Sequence, residues 1–333
     1  MKVKKYVMGA FLSIGMLALV ACNNASGANS SGEAATADNF PNKPIKIITG
    51  FDPGGIADTG ARLLAKELGK NFDNKVDITV EAKPGGAGVV AMTEVINSKP
   101  DGYTIGFGPL GPVTLQPHFG QTTYQYDDPV MISQVASNDF MLAVHKDAPW
   151  DDFDSFLNDV KANPGKFSYS NPGAGTLGEI AMLTLARETG IEIKGVPFQG
   201  STPARTALLA KDVDAAAIVE TDLISYAQSG DIKILINFGN KKMEEFPDVP
   251  TAEEKGYNMN HSASFSLYGP KNLPIEIRDA IDTAVAKTMN EEEMKDAFVK
   301  IGLPPNYLNA DEATESVDKE YHVNKEAIEY SGK

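Results

Sequence analysis

Chemistry at a protein site needs nucleophiles, bases or metal ligands held close together, and this chain offers few. Its four histidines, His118, His145, His261 and His322, stand apart with no pair at helical spacing, so no metal site is expected. The single cysteine, Cys22, can form neither an internal disulfide nor a thiolate cluster. No G-x-S-x-G elbow and no phosphate-binding P-loop occurs. Gly86, Gly88 and Ala91 match a G-x-G-x-x-A dinucleotide pattern. That match stands alone, after the second strand rather than the first, and reads as a tight loop opening a helix. No cofactor and no catalytic residue is therefore expected. A hydrolase whose triad assembles only in space leaves no local signature and stays as an alternative.

What does recur is one kind of loop. Gly54-Gly55, Gly173-Ala174-Gly175-Thr176 and Gly200-Ser201-Thr202 each follow a short apolar run and precede a helical pattern. A strand-to-helix turn leaves backbone N–H groups unpaired at the helix N-terminus, where the partial positive charge favours an anion. Glycines allow close backbone approach, and Thr176, Ser201 and Thr202 add hydroxyl donors. Any one such loop could be a plain turn. Three in one chain point to a set of anion-binding loops.

The elements that must position these loops alternate regularly. Strands are predicted at 45–51, 76–80, 103–107, 140–144, 166–170 and 194–198, and Gly/Pro-rich turns follow most of them. Helices are predicted from the first loop to Leu68, from near Asp154 to Ala162, from Thr176 to about Glu188 and from Thr202 to about Ala210. Thr202 is placed to cap the last of these, with Pro203 in its first turn. One or two amphipathic helices fill 274–301, and another fills 311–330. Strands alternating with helices imply an α/β fold of mostly parallel sheets with helices on both faces. No repeat with a period of 20–50 residues is visible.

A chain of 333 residues, 42% hydrophobic, can form about two domains. Its formal charge is −15, and only four of its basic residues are arginines, so a nucleic-acid binder is excluded. At the start, Lys2, Lys4 and Lys5 precede an apolar run of about 15 residues, shorter than a membrane span of about 20. That run ends Leu19-Val20-Ala21-Cys22 and resembles a bacterial lipobox, in which the cysteine is acylated and becomes the new N-terminus. The other reading is an ordinary secretory signal with an incidental cysteine. Residues 22–39 are small and polar, as in a flexible tether. The expected product is extracytoplasmic and held at the membrane by a lipid on Cys22.

The loops and their spacing carry a resemblance over nearly the whole length after the tether. Gly50-Phe51-Asp52-Pro53-Gly54-Gly55 with Asp58, Pro100-Asp101-Gly102-Tyr103-Thr104 and Gly173-Ala174-Gly175-Thr176 occur in order. So do the stretch from Pro197 to Pro203 and Pro247-Asp248-Val249-Pro250-Thr251 with Glu254 and Gly256-Tyr257. Together they resemble the substrate-binding proteins of the tripartite tricarboxylate transporter family, the Bug receptors. The resemblance implies a two-lobed fold like type II periplasmic binding proteins, each lobe a mostly parallel sheet flanked by helices, with two crossover strands near 140–144 and 264–267. Lobe one would be 40–141 plus 264–333, and lobe two 142–263. It further implies a monomer that passes a small carboxylate to integral membrane transporter subunits.

By the same resemblance, the carboxylate sits between one loop containing Phe51, Asp52, Gly54, Gly55, Ile56 and Asp58 and another containing Gly173, Ala174, Gly175, Thr176 and Leu177. Backbone amides and ordered waters hold it, in keeping with the amide-rich loops read from the residues. The far end of the ligand would meet Pro109, Leu110, Gly111, Gln199, Ser201, Thr202, Glu220, Thr221 and Asp222. Two departures bear on the ligand: relatives often have a small apolar residue in place of Asp52 and a histidine near Glu179. Extra carboxylates at the mouth disfavour a tricarboxylate. They favour a mono- or dicarboxylate, with an amine facing Asp52 or Asp58, and Arg205 is a candidate charge partner. Tight citrate binding that Asp52→Ala leaves unchanged would overturn this. A subunit presenting ligand to a membrane sensor, or less readily a lipoprotein hydrolase, are the alternatives.

Overall fold

The computed structural model describes residues 39–120, 122–239, 241–243 and 245–332. The predicted signal segment 1–21, the lipid attachment at Cys22 and the tether up to residue 38 lie outside the described residues. Ten strands build one continuous mixed sheet. Its first half holds β1 (Ile45–Thr49), β2 (Ile78–Ala82), β3 (Thr104–Pro109), β9 (Ser262–Gly269) and β10 (Pro305–Leu308). The second half holds β5 (Ser168–Asn171), β6 (Lys194–Pro197), β7 (Ala215–Val219) and β8 (Ile232–Asn237). The long strand β4 (Val130–His145) belongs to both. Up to Asp139 it pairs with β9 and β10; from Phe140 it pairs with β7 and β8.

Apart from a single parallel bridge between Asn237 and Thr251, parallel pairing is confined to two three-stranded units. β1 lies between β2 and β3, and β5 lies between β6 and β7. Every pairing made by β4 or β9 is antiparallel. The α/β prediction therefore describes the outer strands, where a helix follows each strand and returns the chain in the same direction. β9 instead enters from the second half and runs against β3. The crossing predicted at 140–144 is the second part of β4. Residues 264–267 do not themselves cross, because they pair with β3 and β4 inside the first half. The chain returns just before them, where the His261 amide donates to Phe238 O and its carbonyl accepts from the Phe140 amide.

Helices cover both faces of each half. On the first, α1 (Ile56–Leu68), α8 (Ile275–Met289) and α9 (Glu292–Lys300) bury Leu64, Ile281 and Phe298 against Ile47, Ile105 and Phe107. The opposite face meets α2 (Val89–Ile96) and the long α10 (Ala310–Ser331) through Met92, Val95 and Val317. In the second half, Leu142 and Val144 face α4 (Phe153–Ala162) and α5 (Leu177–Thr189). Met141 and Ala143 face α6 (Ser201–Leu209). Successive strand side chains point to opposite faces, so a strand covered on both sides reads as the unbroken apolar run seen at 140–144. Short α3 (Gly111–Thr114) follows β3, and α7 (Ile224–Gln228) precedes β8. Helix α6 is capped by Gly200 rather than Thr202, and its start at Ser201 puts Thr202 and Pro203 inside the first turn.

Candidate functional site: two ranks of strand-end loops

The register of the sheet fixes where the predicted loops lie. Pro109, at the carboxyl end of β3, pairs with Phe265 of β9, which pairs with Ala136 of β4. From the other side, Val219 at the carboxyl end of β7 pairs with Phe140 of the same β4. Four residues of extended chain span about 13 Å. The parallel units thus point their carboxyl ends at one crossing point from opposite directions. Pro109, Leu110 and Gly111 stand on one side of it, and Glu220, Thr221 and Asp222 stand on the other.

In the first rank, the loop after β1 packs on its neighbours through Phe51, whose ring lies against Gly88 and Gly108. Gly88 leaves no room for a Cβ, which would sit 2.8 Å from the Pro112 ring and 3.3 Å from Phe51. Leu110 is buried and its amide donates to Ser264 O at 3.2 Å. The Gly55 amide donates to Asp52 O, and that of Gly54 to Asp58 Oδ2 at 2.9 Å. Asp58 is buried, and Arg62, one turn on, holds both its oxygens at 2.9 Å. The Arg62 guanidinium, and to a lesser extent the Gly54 amide, hold this carboxyl below its usual range against the effect of burial. Of the two acids considered for a ligand amine, Asp58 is thus engaged within its own helix, whereas Asp52 is exposed.

The second rank is built alike. The Gly175 amide donates to Glu179 Oε2 at 2.7 Å, and Thr176 Oγ1 donates back to Gly173 O at 2.7 Å. Gly173 donates to Asn171 Oδ1, and Gly200 donates to Pro172 O, which ties the loops after β5 and β6 together. Gly178, in the first turn of α5, rests on Ala217 O, where a Cβ would lie at 2.6 Å. Gln199 and Thr202 are exposed and Ser201 is half-buried. Arg205 bonds Asp222 Oδ1 at 2.9 Å and lies 4.8 Å over the Tyr226 ring. Its charge is thereby matched inside the protein.

Between the ranks lies a polar network that sequence reading missed. Asn138 exchanges hydrogen bonds with Thr221, donating to Oγ1 at 2.7 Å and accepting its amide. Asp139 accepts from Ser262 Oγ of β9 and from Asn237 Nδ2 of β8, one oxygen to each half of the sheet. Burial raises the Asp139 carboxyl pKa. Burial, with the neighbouring Asp139 and Glu245 carboxylates, pushes Glu220 up to about 7. The signal was the polar run Ser137-Asn138-Asp139, set inside an otherwise apolar stretch.

Elsewhere, a groove of about 210 Å³ lies at the far end of the second half between Trp150, Phe167 and Lys211. Its Lys211 and His145 already pair with Asp147, and none of the predicted loops reaches it. Among the described residues, no group of His, Cys, Asp and Glu is placed to hold a metal ion. None of their helices is long and apolar enough to cross a membrane.

A sheet whose two parallel units meet end to end across a shared strand defines a two-lobed solute-binding protein of the periplasmic type. Residues 61–332 match the tripartite tricarboxylate transporter family receptor, TctC, and the chain belongs to that family. A Cupriavidus necator relative, the UPF0065 protein in the gbd 5′ region, is 32% identical over 86% of this chain and 88% of its own length. Among solved structures, a TctC solute-binding protein from Polaromonas superposes with a TM-score of 0.83 at 26% identity, covering 87% of this chain and 99% of that one. MatC from Rhodopseudomonas palustris, with bound malate, has a TM-score of 0.61 at 24% identity and coverages of 87% and 100%. A second Rhodopseudomonas palustris protein, with adipate, gives 0.65 at 21% identity, with coverages of 88% and 98%.

Proposed function

We propose that this receptor captures a small organic carboxylate between its two ranks of loops and delivers it to integral membrane transporter subunits. The observation that carries the reading is the convergence of Pro109 and Val219 on Ala136 and Phe140 of one strand. It sets the strand-end loops and the amides opening α1, α5 and α6 around a single crossing, where open α/β sheets collect ligands. The lobes are 40–141 with 264–333, and 142–263, and closure of one on the other is the working event. The carboxylate lies between the loops 51–58 and 173–177, where the amides that open α1 and α5 have no acceptor within their helices. Ser201, Thr202 and the loop 220–222 bound its far end. Malate and adipate in structural relatives support the ligand class. With all four arginines paired to acids of the chain itself, a mono- or dicarboxylate fits better than a tricarboxylate, and exposed Asp52 is the partner for any ligand amine.

The test is thermal unfolding of a soluble form beginning at Asn23, against mono-, di- and tricarboxylates, amino acids and aromatic acids. At 100 times Kd a ligand adds about 2.7 kcal/mol, a rise of roughly 5–10 °C for a chain of this size. A flat panel, together with no small molecule released from the denatured protein, would refute the reading. The membrane tether is tested separately. Cys22→Ala should move the protein from the membrane fraction to the soluble one, and unchanged partition would refute acylation at that residue.

A further inference from the structure

The loops that open α1 and α5 are the same device built twice. Each leaves the middle strand of a three-stranded parallel unit, β1 in one half and β5 in the other. Each leads into a helix of 13 residues. Gly54 and Gly175 both take left-handed backbone, at φ +79° and +73°. The residue after each, Gly55 or Thr176, is the extended N-cap, with ψ 171° and 160°, and neither caps its helix with a side chain. The third helical residue is an acid in both, Asp58 and Glu179, and each takes the glycine amide four residues back, at 2.9 and 2.7 Å.

That bond is displaced from the usual capping arrangement. In a capping box the acid at the third helical position reaches back to the N-cap amide. Here it reaches one residue further, to the glycine before the cap, while the N-cap amide is used by Asp52 O in one loop and by Gly173 O in the other. The loop amides are consumed internally. The amides that open each helix, at Ile56 and Ala57 and at Leu177 and Gly178, have no acceptor within the helix.

We infer that Asp58 and Glu179 are matched positioning residues, each locking a left-handed glycine so that the first-turn amides of its helix are presented to the ligand. The inference rests on the receptor reading for its purpose and on the geometry of the two loops for its mechanism. What matters is an acceptor at the right distance, so the neutral amide of the same length should serve in place of the acid. In the first loop Arg62 supports the acid from the solvent side, and removing it should leave the Gly54 bond in place.

Hydrogen–deuterium exchange resolved at Gly54 and Gly175 tests this without a ligand. Asp58→Ala and Glu179→Ala should each speed exchange at their own glycine by up to about tenfold, the loss expected for one hydrogen bond. The other loop and the strands should not change. Asp58→Asn, Glu179→Gln and Arg62→Ala should stay near the parent rate. With malate and adipate as probes, any affinity of the parent should fall in the alanine variants and be restored in the amide variants. Unchanged exchange in the alanine variants, or equal loss in the amide variants, would overturn the inference. The expected exchange pattern with a flat carboxylate panel would refute the receptor reading instead and leave the loop device standing.

Discussion

Glu320 lies on α10 where that helix crosses α3, and it is only 2% exposed. One oxygen accepts from Thr114 Oγ1 at 2.9 Å. Asn324, one turn on, donates to Thr114 O at 3.1 Å, while its own buried Oδ1 has no donor among the described residues. Among the described residues no cation balances the acid, and burial pushes it from an ordinary 4.5 up to about 8. Between those values the folded chain keeps a proton that the unfolded chain has lost. Stability therefore falls as pH rises from about 4.5 to about 8 and levels off above. At about 1.4 kcal/mol per pH unit the whole loss is roughly 4–5 kcal/mol, an upper figure because water reaching the ion would lower it. Glu320→Gln removes the titration. The variant should match the parent near pH 4.5 and gain on it steadily, by several degrees in Tm at pH 8, since a chain of this size moves about 2–4 °C per kcal/mol. Thermal melts of both proteins at half-unit steps from pH 4.5 to 9 measure the difference. A difference in Tm that stays flat over that range would refute the reasoning.

Three further outcomes are expected. Gly239→Ala would place a Cβ 1.9 Å from Asp139 Oδ2. It should cost at least about 2–3 kcal/mol in urea unfolding, because the buried acid loses its partners; Gly111→Ala, with open space around it, should cost little. Asn309 accepts the amides of Asp311 and Glu312 at 3.0 Å and completes a capping box with Glu312. Asn309→Ala should therefore lower stability by about 1 kcal/mol, read as a Tm fall of about 2–4 °C. Glu220, pushed up to about 7, is neutral below that pH and ionised above it, so affinity for a carboxylate should weaken as pH rises through neutrality. Calorimetric titrations at pH 6 and 8 should show that fall in the parent and its loss in Glu220→Gln.

The amide-rich loops, the helices that follow them and the apolar strands before them were legible because local chemistry writes them. Glycines mark left-handed turns at Gly54, Gly175 and Gly200, and the helix from the first loop ends at Leu68 as its pattern predicts. Family membership followed from the order of such turns along the chain. Strands β7, β8 and β10 were not read from the sequence. No glycine-rich turn marks their ends, and what holds them is antiparallel or parallel pairing with β4 and β5, over separations no local window contains. The two charges that sequence left open differ in this respect. Asp58 is held by Arg62, one turn on in the same helix, a pairing that helical spacing alone offers, whereas Arg205 meets Asp222 at 2.9 Å only because α6 and the loop after β7 pack together. Residue types determined that glycine-rich loops join strands to helices. Only the continuous passage of β4 from one half of the sheet to the other decided that those loops face each other, because strand register is set by partners far away in the chain.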